Sequence, residues 1–151
     1  MKTKKIFFVS FFLICLAPVL LYAQGISVHK FIGKTKADVI KKYGNPVHQD
    51  NSNPDMMCMF YQTKTSRMIF VSDKSGVYQS EATANYNSET KARSVIDDFI
   101  AGSIADGFTV DTVSVNDFQL HKTRVKADLQ LSENKITKNF DVSVKARRSE
   151  D

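Results

Sequence analysis

The sequence predicts an α+β fold: an antiparallel β-sheet with two main helices packed on one face. Three observations predict it. A short helix carries its own start and stop signals in Gly33-Lys34-Thr35-Lys36-Ala37-Asp38-Val39-Ile40-Lys41-Lys42-Tyr43-Gly44-Asn45-Pro46. A longer amphipathic helix follows from Ala92, Val95, Ile96, Phe99, Ile100 and Ile104, which recur at helical spacing. Much of the remainder alternates apolar and polar residues, as strands do when one sheet face is buried and the other is wet. A cystatin-like or nuclear-transport-factor-like wrap of sheet around helix is the alternative.

The chain opens with MKTKKIFFVSFFLICLAPVLLYA. Lys2, Lys4 and Lys5 precede an apolar run too short to span a bilayer, and Ala23 offers a cleavage point, the build of a secretory signal peptide over residues 1–23. Ile14 stands where a lipobox wants a small residue, so lipidation at Cys15 is not expected. Residues 24–151 then form a single α+β domain of 128 residues, long enough to bury a core. Removing the leader lowers Lys+Arg from 21 to 18 against 16 Asp+Glu, so the net charge falls from +5 to +2. The basicity belongs largely to the export signal, and nucleic acid is not an expected partner. Cys58 is left alone, so the domain has no internal disulfide.

Residues 24–32 read as a short lead-in or a strand. Thr35 can cap a helix over 36–43, with Asp38 completing a capping box; Lys41 and Lys42 suit its C-terminal end, and Gly44 and Pro46 stop it. Residues 47–55 are a polar loop. The runs 56–61 and 67–72 form a hairpin, and a third strand covers 77–86 with Ser80, Ala82 and Ala84 on one face. Asn87-Ser88 caps a helix over 89–105. Residues 108–115 form a strand or irregular pair, and a further strand begins at Phe118 and turns near 121–123. Val125, Ala127, Leu129 and Leu131 alternate in one strand; Ile136, Phe140, Val142, Val144 and Ala146 in the next. Helix followed by strands occurs twice, from residues 35 and 88, which raises the suspicion of a duplicated fold.

No complete catalytic, metal or cofactor motif is present, so a non-catalytic protein without a cofactor is expected. Gly33-Lys34-Thr35 looks like the end of a phosphate loop, but Val28 stands where that loop needs Gly. His29, His48 and His121 lack metal-site spacing. A thiol or hydrolytic enzyme using Cys58 is the minor alternative, weakened because burial in an apolar strand would raise the thiol pKa. Asp97, Asp98 and Asp106 read as solvated carboxylates. Lys122, Arg124 and Lys126 form a possible patch for an anionic partner, including weak contact with a membrane surface; a solvated strand face is the competing reading. The hairpin at 56–72 is apolar on both faces, so Met57, Met59 and Tyr61 are a possible partner surface unless a loop or the N-terminal segment covers them.

The segment Ile32–Pro46 resembles the opening helix of BamE/SmpA-like small bacterial envelope proteins, whose fold is related to the β-lactamase-inhibitor-protein fold. That resemblance implies protein–protein contact in the envelope without catalysis. The expectation is therefore an exported periplasmic or secreted binding module with a protein partner, anchored to no membrane after signal cleavage. A small-ligand carrier, with its cavity between helix 89–105 and the sheet, is the alternative.

Overall fold

A computed structural model describes residues 25–150. The expected signal peptide at 1–23, with Cys15, lies outside these residues. The elements are α1 (Lys36–Tyr43), β1 (His48–Asp50), β2 (Met57–Gln62), β3 (Ser66–Asp73), β4 (Gly76–Tyr86), α2 (Glu89–Ala105), β5 (Thr109–Thr112), β6 (Asp117–Lys122), β7 (Val125–Glu133) and β8 (Phe140–Arg148). Among the described residues eight strands form one sheet in the order β1-β2-β3-β4-β8-β7-β6-β5, with every neighbouring pair antiparallel. Each half of the chain is a helix followed by a four-stranded meander, and the halves meet where β4 pairs with β8.

Local chemistry explains the helix ends. Thr35 Oγ1 accepts from the Asp38 N–H at 3.2 Å while the Asp38 carboxylate accepts from the Thr35 N–H at 2.9 Å, a complete capping box. Gly44 closes α1 at φ +79°, its N–H bonded to the Ile40 carbonyl. Ser88 Oγ caps α2 by accepting from the Lys91 N–H. The stop-and-start signals at 35–44 are thus helix-end chemistry, with Gly33-Lys34-Thr35 forming the entry to α1.

Two principal helices on one sheet face, as the sequence led one to expect, is not the arrangement found. The sheet dominates, and only α2 lays a helical face on it, through Ala92, Ile96 and Phe99. The shorter α1 has two turns and buries only Val39. It reaches the sheet through Tyr43, whose ring lies 5.7 Å from Tyr61 and 5.6 Å from Phe70. The remaining cover comes from the lead-in, which is neither a strand nor a loose leader. It forms a short 3₁₀ turn at Val28–Phe31, burying Ile26, Val28 and His29. The cystatin-like or nuclear-transport-factor-like alternative falls with the main expectation, because cover is shared between lead-in and helix.

The central strands are built for this close cover. Ser80, Ala82 and Ala84 of β4 and Ala146 of β8 present small side chains inward. The backbone of the lead-in therefore lies close to the sheet, and Ser80 Oγ donates to the Val28 carbonyl at 3.0 Å. Two further bonds tie the lead-in to the β3–β4 turn: Gly33 N–H to Val77 O (2.7 Å) and Val77 N–H to Lys34 O (2.8 Å).

Two other expectations change. The polar loop 47–55 contains edge strand β1, which pairs His48 with Phe60 and Asp50 with Cys58. Ile136 is no strand residue. It is 93% exposed, because Glu133 pairs with Phe140 and the chain turns over 134–139, with Lys138 at φ +58°.

Gly76 has φ +110°, and a Cβ there would lie 2.6 Å from the Lys34 carbonyl oxygen. Gly44 is also left-handed but has open space around it. Backbone strain of this kind costs about 1–3 kcal/mol, so Gly44→Ala is expected to destabilise by that amount. Gly76→Ala is expected to cost more, since it must also push the lead-in away. Paired urea denaturation curves of the two variants check the order.

Candidate functional site

Strand alternation sorts the side chains onto two faces. The inner face carries Met59, Tyr61, Met68, Phe70, Leu120, Leu129, Val142 and Val144, all buried in one core. The expected partner surface at Met57, Met59 and Tyr61 falls on this inner face. Met59 and Tyr61 are packed in the core and Met57 is half-buried. Phe31 and Tyr43 of the N-terminal segment supply the cover, forming an aromatic cluster with Phe70 and Tyr61. Tyr61 also donates its hydroxyl to the Gly44 carbonyl at 3.0 Å.

The other face of the hairpin is the open one. Cys58 and Phe60 of β2 and Ile69 and Val71 of β3 are half-buried side chains paired across the strands. His48 stacks on Phe60 with ring centroids 5.5 Å apart. Moving across the sheet the apolar patch gives way to charge: Ile69 neighbours Glu81, then Lys145, then Asp128, then Gln119. A parallel row runs from Val71 through Gln79 and Arg147 to Lys126 and His121. No side chain in these two rows is fully buried. Shallow depressions of about 270 Å³ beside Arg67, Ile69 and Glu81, and about 360 Å³ beside Asp128, Gln130 and Lys145, mark this face.

The basic cluster read from the sequence is divided by the turn between β6 and β7. Lys126 pairs with His121 and Arg147 on the open face. Arg124 occupies the turn itself at φ +62°. Lys122 points to the helix side, donating to the Asp106 carbonyl at 2.6 Å with its ammonium 5.4 Å from the Phe108 ring centre. The three residues therefore do not form one patch.

Cys58 has Asp50 and the Met56 carbonyl as polar neighbours. Burial, and then the Asp50 charge, raise its thiol pKa, which lowers the thiolate fraction a nucleophile requires. Asp97 and Asp98 are exposed on α2, and among the described residues no group of three or more His, Cys, Asp or Glu is placed to hold a metal ion.

One polar constellation escaped the sequence reading. His29 is 1% exposed, wedged between Phe99 (4.5 Å between ring centres) and Phe108 (5.0 Å). Its Nε2 lies 3.0 Å from Ser103 Oγ, and Ser103 donates its single hydrogen to the Phe99 carbonyl at 2.7 Å. The other ring nitrogen, Nδ1, is buried and has no hydrogen-bond partner in the protein. A buried polar atom left unmatched costs about 1–3 kcal/mol. Serine beside histidine has the composition of an activated nucleophile. Ser103 is completely buried and its proton is committed to a carbonyl, so the pair joins the lead-in to α2. No periodicity signals this residue, because its partner lies 74 positions away.

No family model and no curated protein matches the chain. Among solved structures it is similar to a cysteine-rich secretory protein from Staphylococcus aureus at 12% identity and a TM-score of 0.46, over 80% of this chain and 46% of that one. It is likewise similar to an extracellular protein containing an SCP domain from Bacillus anthracis at 13% identity and a TM-score of 0.47, over 81% of this chain and 45% of that one. The chain spans less than half the length of either. Both are proteins found outside the cell by their descriptions, and among the described residues no helix is long and apolar enough to cross a membrane.

Burial, and secondarily the Lys30 charge, lower the His29 pKa from 6.5 to about 4. The unfolded chain takes up a proton near 6.5, whereas the folded one resists until about 4. Stability is therefore full above 6.5 and is lost as pH falls through this window, by up to about 3 kcal/mol. Asp38, Asp50, Asp73, Asp106 and Asp117 are held below their ordinary 3.8, so their own losses come at lower pH. Urea midpoints measured across the window should fall for the wild type and stay level for His29→Phe.

Proposed function

We propose that the protein is an exported, non-catalytic binding module of the bacterial envelope or exterior, and that the open face of the sheet receives a protein partner. The observation that carries this reading is the sheet face that no helix or loop among the described residues covers. Its apolar end, Phe60, Ile69, Val71 and Cys58, adjoins a field of alternating charge through Glu81, Lys145 and Asp128. Protein interfaces combine an apolar centre with a polar rim in this way, whereas small-molecule sites are concave and enclosed. The apolar leader and the resemblance of residues 32–46 to envelope proteins support the export and partner parts of the reading. Periplasm and exterior are both compatible with it.

Site-specific photo-crosslinking in the producing cell tests the reading. A crosslinker at Phe60 should yield a discrete protein adduct, and one at the exposed Lys91 of α2 should not. Ile69→Arg should reduce the Phe60 adduct about tenfold, with far-UV circular dichroism and thermal unfolding showing that the variant still folds. Equal adducts from both positions, or an adduct indifferent to Ile69→Arg, would overturn it.

A further inference from the structure

We propose that the open sheet face receives a second copy of this chain, the two sheets stacking face to face about a two-fold axis that runs along the strands between β2 and β3. This rests on the reading of that face as a protein-binding surface, and it names the partner.

The strand registers lay out a grid on the open face. Two apolar columns are neighbours: Phe60 and Cys58 of β2 pair with Ile69 and Val71 of β3. On one flank stands edge strand β1, with His48 beside Phe60 and Asp50 beside Cys58. On the other stands β4, with Glu81 beside Ile69 and Gln79 beside Val71. Beyond it β8 brings Lys145 beside Glu81 and Arg147 beside Gln79. The two flanks of the apolar stripe therefore carry different charges.

A two-fold axis along the stripe turns that difference into complementarity. It lays β2 of each copy over β3 of the other, and β1 over β4. Phe60 then meets Ile69 of the second copy, and Cys58 meets Val71. His48 meets Glu81 of the second copy. Asp50 meets Gln79 and comes within reach of Arg147, one strand further on. At the directly opposed positions apolar faces apolar, and no carboxylate faces a carboxylate. Every contact occurs twice, so the assembly closes at two copies.

The charged members are free to make these contacts. Lys145 and Arg147 are exposed, and among the described residues neither is in an ion pair. The Ser52 N–H donates to Asp50 Oδ1 at 2.9 Å, which fixes the carboxylate and holds it below its ordinary pKa, so it is an anion at neutral pH. Stacked sheets lie about 10 Å apart with their strands nearly aligned. Four overlapping strands, spaced about 4.8 Å and contributing about 20 Å of length, cover roughly 400 Å² of sheet per copy. That is the small end of specific interfaces, so the dimer exchanges with monomer, with a dissociation constant in roughly the micromolar range.

Sedimentation of the purified protein from low micromolar to submillimolar concentration tests this, with circular dichroism showing that each variant folds. The wild type should shift from monomer to dimer, and Ile69→Arg should remain monomeric throughout. Asp50→Arg and Arg147→Asp should each weaken the dimer about tenfold, and the double variant should regain most of that loss. Within one copy β1 and β8 are about 19 Å apart across the sheet, so such recovery arises only between copies. The proposal is overturned if the wild type is monomeric at every concentration, if Ile69→Arg still dimerises, or if the double variant binds no better than the single ones. A monomer whose Phe60 crosslinker still captures a different protein overturns the second copy and leaves the open-face reading standing. A monomer with no adduct overturns both.

Discussion

The pairing of β4 with β8 is the constraint on which the rest of the molecule depends. Eight registered pairs, from Gln79 with Arg147 to Tyr86 with Phe140, fuse two four-stranded meanders into one sheet. Asn85 clamps one end of this seam, donating to Asp141 at 2.8 Å and accepting from Asn139 at 3.0 Å. Without the seam, each half would be a small sheet whose inner face had too little to pack against. With it, Ala82, Ala84, Val142, Val144 and Ala146 become the middle of a continuous core. Their modest size leaves the space that the lead-in occupies.

The seam also decides where chemistry can sit. One face is filled by the lead-in, α2 and Tyr43, and among the described residues nothing covers the other. On the filled side, the lead-in and α2 are joined at His29 and Ser103 and again at Lys30 and Asp106. Between these ties and the β6–β7 turn the cover is incomplete, leaving a cleft of about 490 Å³ beside Lys30, Asp106 and Lys122. The same close packing that buries His29 strips it of water and leaves one ring nitrogen unmatched. A structural tie and an unmatched ring nitrogen thus arise from one residue.

What the sequence made legible was what neighbours in the chain decide. Thr35 with Asp38, Ser88 before α2, and the alternation of β7 and β8 announce themselves because caps and pleats act over a few residues. Strand β1 gave no signal because an edge strand of His, Gln and Asp has no apolar pattern to read. The parity of β2 was ambiguous because Met57 to Tyr61 is apolar at every position, so alternation could not say which side faced the core. The separation of Lys122 from Lys126 was available in principle: across a tight turn Lys122 faces Val125 and His121 faces Lys126. The scale of the sheet relative to the helices was not, since β4 and β8 meet from distant parts of the chain.

Strand β8 follows β5, β6 and β7 along the chain yet lies between β4 and β7 in the sheet. Until β8 is in place, β4 presents a long, unpaired edge beside an apolar face, the kind of surface that invites wrong pairing. Loss of β8 would therefore remove a keystone, whereas loss of β1 or β5 would remove only a border.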